Sequence, residues 1–173
     1  IQLYAYYDLW NNTQSKEALQ FLYPRLKQFF DFMVGKNPYS TTRMKGSGLL
    51  RTWVYFYNSG GWDDYPPQHA LRDKASVTPV VTSAYYIRAA KILRLAAKEL
   101  GFKKDVKEYE HIIKQLSESL QAHSWDEETG YFGYVMHDNN GKPKGIYRYK
   151  DGSNFNKGLD GVSPLIANIS SQE

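Results

Sequence analysis

TPVVTSAYYIRAAKILRLAAKELG, residues 78–101, is the stretch that decides the fold. From Val80 to Leu100 it has no glycine or proline, and its alanines, leucines and isoleucines are strong or adequate helix formers. Its apolar residues cover more than one face, which predicts a largely buried helix closed by Gly101. The residues that follow behave differently: Val106, Tyr109, Ile113, Leu116 and Leu120 form a single stripe, with Lys, Glu, Gln and Ser on the other faces. That is the pattern of a surface helix. A buried helix joined by a short turn to an amphipathic one is an αα-hairpin with an inner and an outer member, the repeating unit of helical toroids.

Upstream, IQLYAYYDLWNN (1–12) is aromatic and helical from its first residues, as though the chain entered mid-helix. Thr13 to Ser15 offer an N-cap for a second stripe of Leu19, Leu22, Leu26, Phe29 or Phe30, and Met33, which Gly35, Asn37 and Pro38 close. Pro24 falls inside this stripe and is expected to open a new helix after a break or kink, because proline is favoured in the first turn and costly in the interior. Residues 36–76 are rich in Gly, Pro, Ser and Asn and have little periodicity. They read as a long loop region whose length and aromatic content point to function.

Downstream, residues 125–152 alternate aromatics around Asn139-Asn140-Gly141-Lys142, the signature of a β-hairpin inserted between helical pairs. Asp138, Asn140 and Gly141 resemble the start of a calcium loop, but no ligand series or distal glutamate follows, so a turn is expected. LDGVSPLIANI (159–169) is expected to begin another inner helix, with Asp160 or Ser163 as cap and Pro164 in the first turn. The whole of 1–173 therefore reads as one mainly α domain, with both ends cut from a larger helical domain.

The composition narrows the partners. The 173 residues carry a formal charge of +4, but Lys and Arg are interleaved with acids, so no nucleic-acid face is expected. No apolar run reaches the ~20 residues of a membrane helix, and no secretory leader is visible. Cysteine is absent, and His69, His111, His123 and His137 lack ligand spacing, so neither a metal nor a cofactor is expected. Asn11-Asn12-Thr13 and Asn168-Ile169-Ser170 fit the glycosylation acceptor pattern. Fifteen tyrosines stand out. Tyrosine and tryptophan present a flat apolar face with a polar edge, suited to sugar rings as well as to helix packing.

The chemistry concentrates in YNSGGWDDYPPQ, residues 57–68. Gly60 and Gly61 allow a sharp turn, Pro66 and Pro67 restrict the backbone, and Trp62 supplies an apolar wall beside Asp63 and Asp64. A carboxyl group held against an aromatic face is desolvated, which raises its pKa and keeps it a proton donor near neutral pH. Glycoside hydrolysis needs such an acid. An aspartate here also suits an N-cap or a loop anchor. Around it, Trp53, Tyr55, Tyr57 and Trp62 are candidates for sugar stacking or core packing, and Asn58, Asp64, Tyr65 and Gln68 for substrate contacts.

SGGWDDYPPQ (59–68) resembles the catalytic-acid segment of glycoside hydrolase family 63, the processing α-glucosidase I group, and is similar to the Ser-Gly-Trp-Asp signature of the family 37 trehalases. SWDEETGYFGY (124–134) and GLDGVSPLIANI (158–169) resemble the hairpin and a later inner helix of the same toroids. The resemblance implies part of an (α/α)6 toroid with a small β-hairpin insertion, and an inverting exo-acting hydrolase of α-linked glucose- or mannose-type sugars. It implies that Asp63 is the general acid and that the chain's partners are a carbohydrate and the remainder of the parent catalytic domain. A periplasmic or secreted location follows from the family's habits.

Three positions depart from the pattern: Asn58 replaces a glutamate, a glycine is added, and Pro67 replaces an arginine. They lie where relatives shape the substrate site, so the sugar does not carry over. An inverting enzyme also needs a carboxylate base, and Glu127, Glu128 and Glu173 match no such motif. The base is therefore expected downstream, and the fragment alone is expected to be inactive. Two rival classes share the pattern: a non-catalytic helical module binding carbohydrate or protein, and a phosphorolytic enzyme on the same scaffold.

Overall fold

The computed structural model describes residues 2–51, 76–155 and 158–169. Helix α1, Gln2–Thr13, buries Leu3 and Tyr6. Gln14 turns the chain with a positive φ of 52°, and Ser15 then caps α2, Lys16–Met33, its side chain accepting from the Ala18 N–H at 3.2 Å. Such a cap is worth ~1 kcal/mol. Tyr6 Oη donates to the Leu19 carbonyl at 2.8 Å and ties the two helices together. Pro24 does not open a new helix: α2 runs through it. Leu19, Tyr23 and Phe30 are buried on one face on both sides of the proline, and that shared face holds the helix together. Gln20, whose carbonyl loses its donor, is exposed and open to water.

Helix α3, Val80–Glu99, is the buried helix anticipated from the sequence; twelve of its residues are buried, from Val80 to Ala97. It packs against α1, α2 and the helix that follows it, which is why its apolar surface extends beyond one stripe. At its C-terminus the Phe102 N–H reaches the Ala97 carbonyl at 2.8 Å and the Gly101 N–H reaches Lys98 at 3.2 Å. These bonds need a left-handed residue, supplied by Gly101 at φ +77°. Helix α4, Lys103–Ser124, returns along α3 as the outer member and buries Tyr109, Ile112, Leu116 and Leu120. Val106 and Ile113, expected in the same stripe, are half-buried. Tyr23 Oη donates to Asp105 at 2.7 Å and meets Tyr109 Oη at 3.2 Å. Beside them, Lys27 bridges Asp31 and Glu108 at 3.4 and 3.2 Å, so α2 and α4 are locked together by side chains.

The hairpin expected around Asn139–Lys142 is present as β4, Val135–His137, and β5, Pro143–Ile146. It is preceded by a smaller pair, β2, Trp125–Asp126, and β3, Tyr131–Phe132. Strand β1, Val77–Thr78, completes a three-stranded antiparallel sheet in the order β1-β4-β5. Asp138 forms a turn: its Oδ1 accepts from the N–H groups of Asn140 and Lys142, both at 2.9 Å. After a 3₁₀ turn at Leu159–Val162, α5 covers only Ser163–Ala167. Neither expected residue caps it. Ser163 lies within the helix and donates to the Asp160 carbonyl, and the Asp160 carboxylate receives the hydroxyl of Tyr134. Pro164 sits in the first turn as anticipated, and Asn168 ends the helix at φ 53°. Lys91 of α3 donates to the carbonyls of Ala167 and Asn168, docking α5 on the inner helix.

Candidate active site

The residues expected to carry the acid chemistry, Asp63 with Trp53, Asn58, Trp62, Asp64, Tyr65 and Gln68, lie outside the described residues, as do Tyr55, Tyr57 and His69. What the structure gives is the frame on which residues 52–75 begin and end. On the entry side, the turn at Met44–Gly48 folds back so that Met44 N–H reaches the Leu49 carbonyl and Arg51 N–H reaches Thr42, at 2.9 and 2.8 Å. The Leu50 N–H donates to Ser83 Oγ at 2.9 Å, a fully buried hydroxyl in the first turn of α3. The chain therefore enters the segment against the N-terminal end of the inner helix.

On the exit side, Ser76 and β1 are held by β4. Val77 pairs with Met136 and Thr78 with Val135, and the His137 N–H donates to the Ser76 carbonyl at 2.8 Å. The His137 ring joins the two sides. Its Nε2 lies 2.7 Å from Ser47 Oγ and its Nδ1 3.0 Å from the Ser76 carbonyl. Ser47 Oγ also accepts from the Leu49 N–H. A consistent set of donors follows: Nδ1–H donates to Ser76, and the Ser47 hydroxyl donates to Nε2. Burial pushes the His137 pKa down, against the backbone bonds that favour its charged form, so the ring is neutral. A backbone contact reinforces the junction: the Gly46 N–H reaches the Gly141 carbonyl at 3.1 Å, and a Cβ at Gly46 would stand 2.6 Å from that oxygen.

A buried carboxylate network centres on Asp126 of β2. Asp126 accepts from Arg148 at 2.6 Å, Thr129 at 2.7 Å and Asn154 at 3.1 Å. Burial would raise its pKa, but these three donors outweigh it and hold the carboxyl below the ordinary range. It is a fixed anion and no proton donor. Glu127 and Glu128 are exposed, Glu128 beside Arg148, and Glu173 lies outside the described residues. Among the described residues no three His, Asp or Glu side chains gather as a metal site requires, and no helix is long and apolar enough to cross a membrane. Sequence reading singled out neither His137 with Ser47 and Ser76 nor Asp126 with Arg148, since no local spacing links residues so far apart.

This frame, an inner and outer helix pair with a strand junction at the inner helix's N-terminal end, defines a class: part of an α/α toroid. Residues 3–155 match the family described as the bacterial alpha-L-rhamnosidase 6 hairpin glycosidase domain, and the chain belongs to that family. Two solved structures from Thermus thermophilus share its fold, each at 20% identity and a TM-score of 0.55 over 98% of this chain. One is a GH63 mannosylglycerate hydrolase in complex with glucose, and the other an uncharacterized conserved protein. The chain spans 46% and 47% of their respective lengths. None of the curated proteins matches it.

Proposed function

We propose that this chain carries the general acid of an inverting, exo-acting glycoside hydrolase, that Asp63 is that acid, and that the base lies elsewhere in the parent protein. The observation that carries the reading is the glycosidase-family match over residues 3–155, which includes the segment where two carboxylates sit beside Trp62 and two prolines. An inverting enzyme places a base about 6.5–9.5 Å across the scissile bond from its acid, to activate water. Trp53 and Trp62 serve as sugar walls, and Asn58, Asp64, Tyr65 and Gln68 as polar contacts. The substrate is an α-linked hexoside: the family's name favours L-rhamnosides, and the form of the acid segment favours D-glucosides or D-mannosides.

Full-length protein assayed on nitrophenyl and disaccharide α-L-rhamnosides, α-D-glucosides and α-D-mannosides, with Asp63→Asn alongside, tests this. The expected result is turnover of one glycone, lost by several orders of magnitude on its disaccharide and much less on its nitrophenyl glycoside in the variant with folding intact, and no turnover by residues 1–173 alone. A wild type inert across the panel favours a non-catalytic binding module. Turnover that requires inorganic phosphate favours a phosphorolytic enzyme.

A further inference from the structure

Residues 147–155 form a tight loop that carries an exposed aromatic ring. The Phe155 N–H reaches the Tyr147 carbonyl at 3.1 Å, Arg148 and Asn154 pair across the base, and the Tyr149 N–H reaches the Ser153 carbonyl at 2.9 Å. At the tip the Gly152 N–H returns to the Tyr149 carbonyl at 3.0 Å, and Asp151 Oδ1 accepts from the Ser153 N–H and hydroxyl at 3.0 and 2.7 Å. Arg148 and Asn154 also bond the buried Asp126 carboxylate, so one fixed anion clamps both strands of the loop. The Tyr149 ring lies against Phe155, with centroids 4.4 Å and planes 40° apart, and Tyr149 is still 48% exposed. We propose that Tyr149 is a sugar-binding platform: its ring takes the C–H face of one pyranose unit, and the charged side chains that follow it, Lys150 and Asp151, take the hydroxyls. The proposal rests on the reading of the parent protein as one that acts on carbohydrate, and it is independent of which residue is the general acid.

Three features favour a sugar site over ordinary packing or a protein-docking face. The loop is organised by its own hydrogen bonds and by Asp126, so a ring with few rotatable bonds is in place before a ligand arrives and little ordering entropy is lost on binding. The surface beside the ring is charged: Lys150 and Asp151 are exposed, as is Glu128 on Arg148, so the ring does not continue into an apolar patch of the kind a protein partner covers. A pyranose, apolar on its C–H face and polar at its edge, matches an aromatic ring with a charged rim. The third feature is location. Arg88 donates to the Ile166 carbonyl and Lys91, nearly one turn on, to Ala167 and Asn168, so α3 and α5 run in the same direction. The loop precedes α5, and the Tyr147 N–H to Tyr134 carbonyl bond, 2.7 Å, ties it to the sheet whose first strand leads into α3. It therefore lies at the end of the scaffold where both inner helices begin.

The test uses the ring itself as reporter. Full-length protein is labelled with 3-fluorotyrosine, and the fluorine resonance that disappears in Tyr149→Phe is assigned to Tyr149. D-Glucose, D-mannose and L-rhamnose, which have no glycosidic bond to cleave, are titrated in, with sorbitol as an open-chain control. The Tyr149 resonance is expected to move and saturate with at least one of the sugars, at a Kd on the order of 1 mM, and to stay in place with sorbitol. Lys150→Met, which leaves the turn's hydrogen bonds intact, is expected to weaken that affinity about threefold, and an unchanged affinity overturns the role given to Lys150. A shift that sorbitol reproduces overturns the platform, because a sugar ring is then not what is recognised. A Tyr149 resonance that no sugar moves also overturns it: alone if the wild type still turns over a glycoside of the panel above, and together with the carbohydrate reading if it turns over none.

Discussion

Asp126 shows what single residues contribute. A carboxylate with almost no exposure is tolerable only because Arg148, Thr129 and Asn154 supply three donors to it. Arg148→Leu should therefore destabilise the protein by about 3 kcal/mol, the low end for a broken buried pair, since Thr129 and Asn154 remain. Urea titration measures this, and a change below about 0.5 kcal/mol would place the pair with surface bridges of negligible weight. Asp63 was legible as a candidate because its chemistry is local: glycine, tryptophan, acids and prolines stand together in the chain. The Ser47–His137 bond joins residues 90 apart, and no sequence neighbour of either announces the other.

Among the elements, the helical pair was the most legible, because both its periodicity and its stop signal are local. The bonds around Gly101 form just where the sequence placed the end of α3. At Pro24 two local signals competed. Proline's preference for a first turn argued for a new helix, and the buried face of Leu19, Tyr23 and Phe30 argued for continuity; packing prevailed. The intrahelical bond to the Gln20 carbonyl that Pro24 cannot make is a cost the helix still carries. Pro24 itself is exposed, so Pro24→Ala should raise stability by between about 1 and 3 kcal/mol, the upper figure being the full helix-interior difference between the two residues. A rise in Tm by calorimetry checks it, and an unchanged or lowered Tm would mean that the proline's shape is needed for packing. The caps of α5 were missed because Asp160 has a long-range partner in Tyr134, which no helix-start pattern encodes.

The molecule as a whole should respond to pH in a pattern set by its buried groups. His137 has a folded pKa below its ordinary value near 6.5, so its contribution is complete above that pH and is lost as pH falls below it. Glu108, drawn down chiefly by its bond to Lys36, and Asp126 have lowered carboxyl pKa values; their stabilisation is present above about pH 4 and lost below it. On the alkaline side, burial raises the hydroxyl pKa values of Tyr6, Tyr23 and Tyr86, and pushes Tyr109 up to about 12. Groups raised in this way stabilise fully below about pH 10 and lose that contribution as pH climbs through their folded values. Thermal unfolding across pH should therefore give a plateau from about 6.5 to 10, a first decline below 6.5 that His137→Phe removes, and a steeper one below 4. A plateau that extends unchanged to pH 5 in the wild type would contradict the neutral, buried imidazole.

The junction at His137 also fixes both ends of one segment to a single scaffold. Because Arg51 and Ser76 are tied to one scaffold, a change in the number of residues between them is a change in closure length. Doubling the length of such a loop costs only about 0.6 kcal/mol of closure entropy, well within what a domain can absorb. The scaffold has room to keep one architecture while the sequence of residues 52–75 changes, and on the proposed reading grafting that segment between relatives would change the sugar accepted.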